Sequence, residues 1–233
     1  MNTEYLLVLM QRRPYTILSI AASLDGFIDG QGPERFVFSN PANLAQIDEL
    51  RAESDAILIG AGTLRRDNPK LLVRSLELQN QRLAKGRSRN PAKVLLASSS
   101  VSTDNNFFRL GDSSKIIFCG SRTQIDGAAD RTEIVRHASE RYPLGEVLNV
   151  LCERGVARLL VEGGTQISTA FLRERLIDEL WLTLPPIMLG PSGGARLVSQ
   201  ELMLDWLSVK ETSQQGGCLL VKYGVQIAKH FPD

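Results

Sequence analysis

Metal-binding side chains are scarce in this chain. Its 233 residues include two histidines, His137 and His230, and three cysteines, Cys119, Cys152 and Cys218, with no CxxC pair among them. A zinc centre draws on several such ligands at close spacing, so metal catalysis is not expected. The cysteines lie in apolar or glycine-flanked segments and read as buried thiols. Long hydrophobic runs are missing too. The apolar stretch 5–10 (YLLVLM) is too short for a signal-peptide core with its cleavage site, and no run approaches the ~20 apolar residues that span a bilayer. A cytosolic protein without membrane partners is the expectation. Charge of one sign is also lacking: 27 Lys and Arg stand against 26 Asp and Glu, a formal charge of +1. Nucleic-acid binding, which calls for a dense basic surface, is disfavoured. The densest basic stretch, 82–89 (RLAKGRSR), has no interleaved aromatics and reads as a solvated loop. The sequence contains no GxGxxG or GxxxxGKS/T pattern, which argues against a simple dinucleotide fingerprint or a P-loop, and two uncommitted histidines give poor support to a Ser/His/Asp hydrolase.

What is present is enough apolar material for a core, 43% of the residues, laid out as alternating strands and helices. Residues 15–22 (YTILSIAA) form a β-branched run ending at the turn group Ser23-Leu24-Asp25-Gly26. Asn40 with Pro41 behind it is a helix start, and Leu44, Ile47 and Leu50 recur along one face. Residues 56–59 (AILI) form a buried strand that stops at Gly60-Ala61-Gly62-Thr63. Two further strands, 93–97 and 115–119, end in small residues, and a weaker one covers 133–135. Leu144, Val147, Leu148, Leu151 and Cys152 have helical spacing. Residues 158–161 (RLLV) are a strand that runs into Glu162-Gly163-Gly164-Thr165 and a helix over 165–175. The stretches 179–184, 207–211 and 218–223 are strand-like, the last two joined only by a turn, and predict antiparallel strands at a sheet edge. The fold class is α/β, with a mixed, mainly parallel sheet flanked by helices. Residues 1–14 read as an extension and 15–233 as a single domain in which 77–90 is a polar loop.

In open α/β sheets, ligands sit at the carboxyl ends of the strands, where helix N-termini offer unpaired N–H groups. Four groups occupy such ends: residues 21–26, residues 60–63 with Asp67-Asn68-Pro69 behind them, Ser98-Ser99, and residues 162–165. A Gly-Gly turn before a helix is often only a tight connection; four such groups together favour a nucleotide site. Asp25 reads as a turn residue that holds the first loop.

Together, residues 19–26 (SIAASLDG), 50–69 (LRAESDAILIGAGTLRRDNP), 159–165 (LLVEGGT), 177–184 (IDELWLTL) and 186–190 (PIMLG) resemble, in order and spacing, the reductase domain of the riboflavin-pathway deaminase/reductase family. That domain is similar in fold to dihydrofolate reductase. The resemblance covers about residues 15–225 and has no counterpart to the family's zinc-binding deaminase half. It implies NADPH-dependent reduction of a ribosylamino pyrimidine 5′-phosphate to its ribitylamino form, by a homodimer. It places Ala21, Gly60, Thr63, Asp67, Ser98, Gly163, Gly164 and Thr165 on the cofactor, and Arg51, Leu71, Arg74 and Glu162 on the substrate. It assigns no proton donor. Two departures are Asn68, where the family often has aspartate, and Glu34 in the loop after Gly30, where it tends to have a small hydroxyl residue. The alternatives are a reductase of a related pterin and a nucleotide-binding module without catalysis.

Overall fold

The computed structural model describes residues 13–38, 40–127, 130–199 and 206–225. The apolar stretch 5–10, nearly all of the N-terminal extension, and His230 lie outside them. The chain forms two compact units, one built mainly from Gln46–Glu162 and the other from Thr16–Ala45 with the chain from Gly163 onward.

In the first unit, strands β2 (Ala56–Gly60), β3 (Ala92–Ala97), β5 (Lys115–Cys119), β7 (Thr132–Arg136) and β8 (Arg158–Val161) are all parallel, in the order β8-β2-β3-β5-β7. Strands buried on both faces carry near-continuous apolar runs, and β2 and β5 are buried at every position. The weak run around residue 134 is the outer strand of this unit, where partial exposure is tolerated. A short parallel pair, β4 (Val101–Ser102) with β6 (Ile125–Asp126), stands apart.

In the second unit, β1 (Tyr15–Ala21) runs parallel to β9 (Glu179–Leu184), β11 (Cys218–Val225) is antiparallel to β9, and β10 (Leu207–Gln215) is antiparallel to β11. The hairpin turns on Gly216 and Gly217, both at positive φ (56° and 81°), as a two-residue turn matched to strand twist requires. The antiparallel strands expected at a sheet edge are present, in the order β9-β11-β10. Strands β9 and β11 are each paired on both sides, so neither is an edge. The outer strand is β10, which is largely polar and irregular between Val209 and Glu211, features that protect an edge from adventitious pairing.

The first helix, α1 (Pro41–Glu53), starts as its sequence predicts. The Asn40 side-chain oxygen accepts from the Asn43 N–H at 3.0 Å, and the Asn43 oxygen accepts in turn from the Asn40 N–H at 3.4 Å. That reciprocal pair is an asparagine version of the capping box. The face that α1 buries is not the apolar stripe: Leu44 and Ile47 are half-buried, whereas Asn43, Gln46 and Asp48 are buried beside Leu50. Helix α2 (Ala61–Asp67) follows β2 directly and ends on Asn68 in the left-handed region (φ 42°, ψ 53°). Asparagine tolerates that conformation, and its side-chain oxygen accepts from the Asn106 N–H at 2.7 Å.

The polar stretch 77–90 is not one loop. It opens with helix α3 (Leu76–Ala84), capped by Ser75, whose hydroxyl accepts from the Leu78 N–H at 3.3 Å. Arg82, expected in solvent, is 3% exposed. Its guanidinium donates to the carbonyls of Ala52 and Ser54 at 2.7 Å each and of Ser88 at 2.8 Å, which satisfies the otherwise orphaned end of α1. A single turn, α4 (Asn106–Arg109), lies between β4 and β5. Helix α5 (Leu144–Glu153) buries Leu144, Val147, Leu148 and Leu151 as its spacing predicts, and α6 (Thr165–Arg173) buries Phe171 and Leu172. Cys119 and Cys218 are buried, whereas Cys152 is only half-buried.

Candidate functional site

The four proposed substrate residues, Arg51, Leu71, Arg74 and Glu162, all belong to the first unit. Arg51, in the last turn of α1, donates from Nε and Nη2 to the two carboxylate oxygens of Glu162, both at 2.7 Å, and from Nη1 to the Leu72 carbonyl at 3.1 Å. Glu162 sits one residue past β8 and donates its backbone N–H to the Leu58 carbonyl at 3.0 Å. The pair is largely shielded, with side-chain exposures of 11% and 17%. Burial works against the Arg51 charge, but Glu162, with a further contribution from Asp48, outweighs it and raises the Arg51 pKa above its ordinary value. The arrangement is a charge-assisted fork.

The segment that joins α2 to α3 carries Leu71 and Arg74. Leu71 is 1% exposed and takes a positive φ of 50°. Its side chain is packed in the protein, so a part for Leu71 at a ligand falls to its backbone. Arg74 is exposed, with no side-chain partner among the described residues. Its backbone is held firmly, because the carboxylate of Asp48 accepts from the N–H groups of Arg74 (2.6 Å) and Ser75 (2.8 Å). The Val73 N–H donates to Asn90 at 2.9 Å, and Gln79 donates to the Val73 carbonyl at 2.8 Å.

The proposed cofactor residues divide between the units. In the first, Gly60 is the N-cap of α2 and makes no side-chain cap bond. The first turn of α2 therefore presents backbone donors that no side-chain cap occupies, next to the half-buried Thr63. Asp67 closes that helix, and Ser98 is exposed just past β3. Its neighbour Ser99 accepts from Arg65 Nη1 at 3.0 Å, a basic group that sequence reasoning had passed over.

In the second unit, Ala21 ends β1, and the N–H that follows it, on Ala22, donates to the Thr183 carbonyl at 3.0 Å. Gly164 is the N-cap of α6, again without a side-chain cap. Thr165 does not cap the helix: its hydroxyl donates to the Arg196 carbonyl, which leaves the oxygen able to accept. Gly163 has a steric reason of its own, since a Cβ there would lie 2.6 Å from Ile167 Cγ2.

Asp25 does the work assigned to it. Its carboxylate accepts from the N–H groups of Gly190 (2.7 Å) and Leu189 (3.1 Å). The Ser23 hydroxyl, followed by those N–H groups, holds its pKa down to about 2. Asp48, Arg82, Asn90 and Arg65 were not foreseen; only the i, i+3 spacing of Asp48 and Arg51 on one helix could have suggested the first.

In the first unit, a parallel α/β framework carries an uncapped helix start after β2 and a shielded Arg–Glu pair past β8, and such strand ends are where open α/β sheets hold ligands. Sequence comparison places it further. The model of the RibD C-terminal domain matches residues 14–220, and the chain belongs to that family. It is 31% identical over 208 residues to a protein of Archaeoglobus fulgidus named 2,5-diamino-6-ribosylamino-4(3H)-pyrimidinone 5′-phosphate reductase, covering 88% of this chain and 94% of that one. It is 31% identical over 201 residues to the riboflavin biosynthesis protein RibD of Chlamydia muridarum, covering 82% of this chain and 52% of that one. Among solved structures, Acinetobacter baumannii RibD superposes with a TM-score of 0.75 at 20% identity, over 97% of this chain and 61% of that one. The dihydrofolate-reductase-like fold expected from the sequence is thus the fold of this chain.

Proposed function

We propose that the chain is a cytosolic, homodimeric NADPH-dependent reductase that converts the ribosylamino side chain of a pyrimidine 5′-phosphate to ribitylamino in riboflavin biosynthesis. The observation that carries this reading is the shielded Arg51–Glu162 pair, at 2.7 Å through both carboxylate oxygens, in the same unit as the firmly held loop of Arg74. The exposed Arg74 supplies a fork for a phosphate, Arg51 adds positive charge beside it, and Glu162 keeps lone pairs for ring amino or ribose hydroxyl groups. The names of full-length relatives in Archaeoglobus fulgidus and Methanothermobacter thermautotrophicus support the substrate class.

In the reaction, the ribose ring opens as the C1′–O4′ bond breaks and O4′ takes a proton, leaving a C1′=N imine. Hydride then adds to C1′, and a proton goes to the nitrogen. NADPH, when bound, supplies the hydride and leaves as NADP⁺. The residues that would hold it are, in the first unit, Gly60, Thr63, Asp67 and Ser98 by the uncapped start of α2 and, in the second, Ala21, Gly163, Gly164 and Thr165 by the uncapped start of α6; N–H groups at such starts suit phosphate oxygens. Arg65 beside Ser99 supplies a cation for the 2′-phosphate that distinguishes NADPH from NADH. The protein's own contribution is positioning: Glu162 and the arginines fix the substrate so that C1′ meets the hydride donor, a step that needs geometry more than a strong nucleophile.

The test is nicotinamide absorbance with purified protein, NADPH or NADH, and either the pyrimidine ribotide or dihydrofolate. Oxidation of NADPH with the ribotide alone supports the reading. Turnover only with dihydrofolate would make it a pterin reductase, and binding of NADPH without turnover of either would make it a binding module. Sedimentation equilibrium checks the dimer, with a mass of two chains expected.

A further inference from the structure

We infer that Asp48 is a positioning residue for substrate recognition, acting through the backbone from which Arg74 projects. This inference rests on the proposed function, in that it takes Arg74 as a phosphate contact.

Three observations lead to it. First, Asp48 is a buried carboxylate, 4% exposed, on the polar buried face of α1. A buried carboxylate is unfavourable unless its oxygens are satisfied. Here two consecutive backbone N–H groups, those of Arg74 and Ser75, donate to the two different oxygens at 2.6 and 2.8 Å. Second, apart from the Ser75 cap of α3, residues 72–75 are anchored by side chains from elsewhere in the unit or from α3: Arg51 on the Leu72 carbonyl, Asn90 on the Val73 N–H, Gln79 on the Val73 carbonyl, and Asp48 on the next two N–H groups. The segment belongs to no strand or helix, so these contacts stand in for a hydrogen-bond ladder. Third, Asp48 and Arg51 are three residues apart on one helix and both hold this segment, and the Asp48 charge also supports that of Arg51. The helix therefore fixes one guanidinium directly and the base of the other through Asp48, which sets the span between them.

A long arginine amplifies any shift at its Cα, so the fork can meet a phosphate bidentately only if its base is still. Asparagine at 48 keeps one accepting oxygen but turns an NH₂ toward the second N–H, donor against donor. The segment must then move.

The experiment measures kcat and KM for the ribotide with and without its 5′-phosphate, together with the dissociation constant of NADPH, for the parent enzyme, Asp48→Asn, Arg74→Ala and the double variant. The parent is expected to prefer the phosphorylated form. Asp48→Asn should raise KM for that form about tenfold, change kcat and KM for the dephosphorylated form less than threefold, and leave NADPH binding within twofold. The double variant should be no worse than Arg74→Ala alone, because coupled residues are not additive. Ser75→Pro deletes one of the two N–H groups from the other side of the same contact, at a φ of −68° that proline accepts; it should shift the preference in the same direction, and it carries the test if Asp48→Asn does not fold. Equal losses on both substrate forms, losses that multiply in the double variant, or no change would overturn the inference while leaving the function standing. A parent enzyme that does not reduce the ribotide would overturn both.

Discussion

Arg51 and Glu162, 111 residues apart in the chain, meet through two 2.7 Å bonds between Nε and Nη2 of the guanidinium and the two carboxylate oxygens. Both had been assigned to the substrate as separate residues. Each is the other's partner, so the pair has a structural role before any ligand arrives.

Removing one partner therefore carries two effects. Glu162→Ala leaves a shielded guanidinium without its carboxylate, which is expected to destabilise the fold by about 2–4 kcal/mol. Adding Arg51→Met removes the orphaned charge and should recover part of that loss. Both variants should lose ribotide turnover while NADPH binding stays within about twofold. Urea unfolding of the two variants, read with a cofactor titration, checks this; a double variant no more stable than Glu162→Ala alone would contradict the pairing.

Gly163 was assigned to the cofactor, yet Ile167 Cγ2 and Cβ lie 2.6 and 2.7 Å from where a Cβ would stand. Gly163→Ala should therefore destabilise the ligand-free protein by about 1–3 kcal/mol, the range for an overpacked contact. Thermal unfolding without nucleotide decides the point. An unchanged midpoint with weakened NADPH binding would assign the glycine to the cofactor alone.

Arg82 closes the carboxyl end of α1, the helix that carries Asp48 and Arg51. Arg82→Met keeps much of the apolar stem but strands the carbonyls of Ala52, Ser54 and Ser88. A loss of about 2–4 kcal/mol is expected, since each buried unsatisfied acceptor costs about 1–3 kcal/mol. Amide hydrogen exchange should show the last turn of α1 opening first. Protection there equal to the parent's would contradict the capping role.

How much of this was legible follows the physics of each residue. The buried strands of the first unit announce themselves by apolar runs, and the start of α1 by Asn40 and Pro41, because both signals are local. Helix α3 was missed because it has no apolar stripe: it leaves Leu76 and Leu83 exposed and buries Arg82 instead. That β10, and not the more apolar β9 or β11, is the outer strand is a matter of topology, which residue pattern does not encode. The roles of Asp48, Arg82 and Lys93 depend on backbone groups distant in sequence, and no spacing rule reaches them.

Lys93 is fully buried and donates to the carbonyls of Phe107 at 2.9 Å and Leu110 at 2.7 Å. Burial, followed by the neighbouring Lys115 and Arg51 charges, lowers its pKa from 10.5 to about 8. Between those values the folded chain binds fewer protons at this site than the unfolded chain. Stability from this group is therefore least below pH 8 and rises as pH climbs from 8 toward 10.5, by at most about 3 kcal/mol. The difference in unfolding free energy between the parent and Lys93→Met across that range isolates it; a difference that stays flat, or falls with rising pH, would contradict the assignment.

The most direct test of the central claim follows the hydride itself, using NADPH deuterated at nicotinamide C4 with the ribosylaminopyrimidine 5′-phosphate and mass spectrometry of the product. The account predicts a ribitylamino product carrying deuterium at C1′, formed in step with NADP⁺. A ribityl product without the label, or label that appears only when dihydrofolate replaces the ribotide, would contradict it.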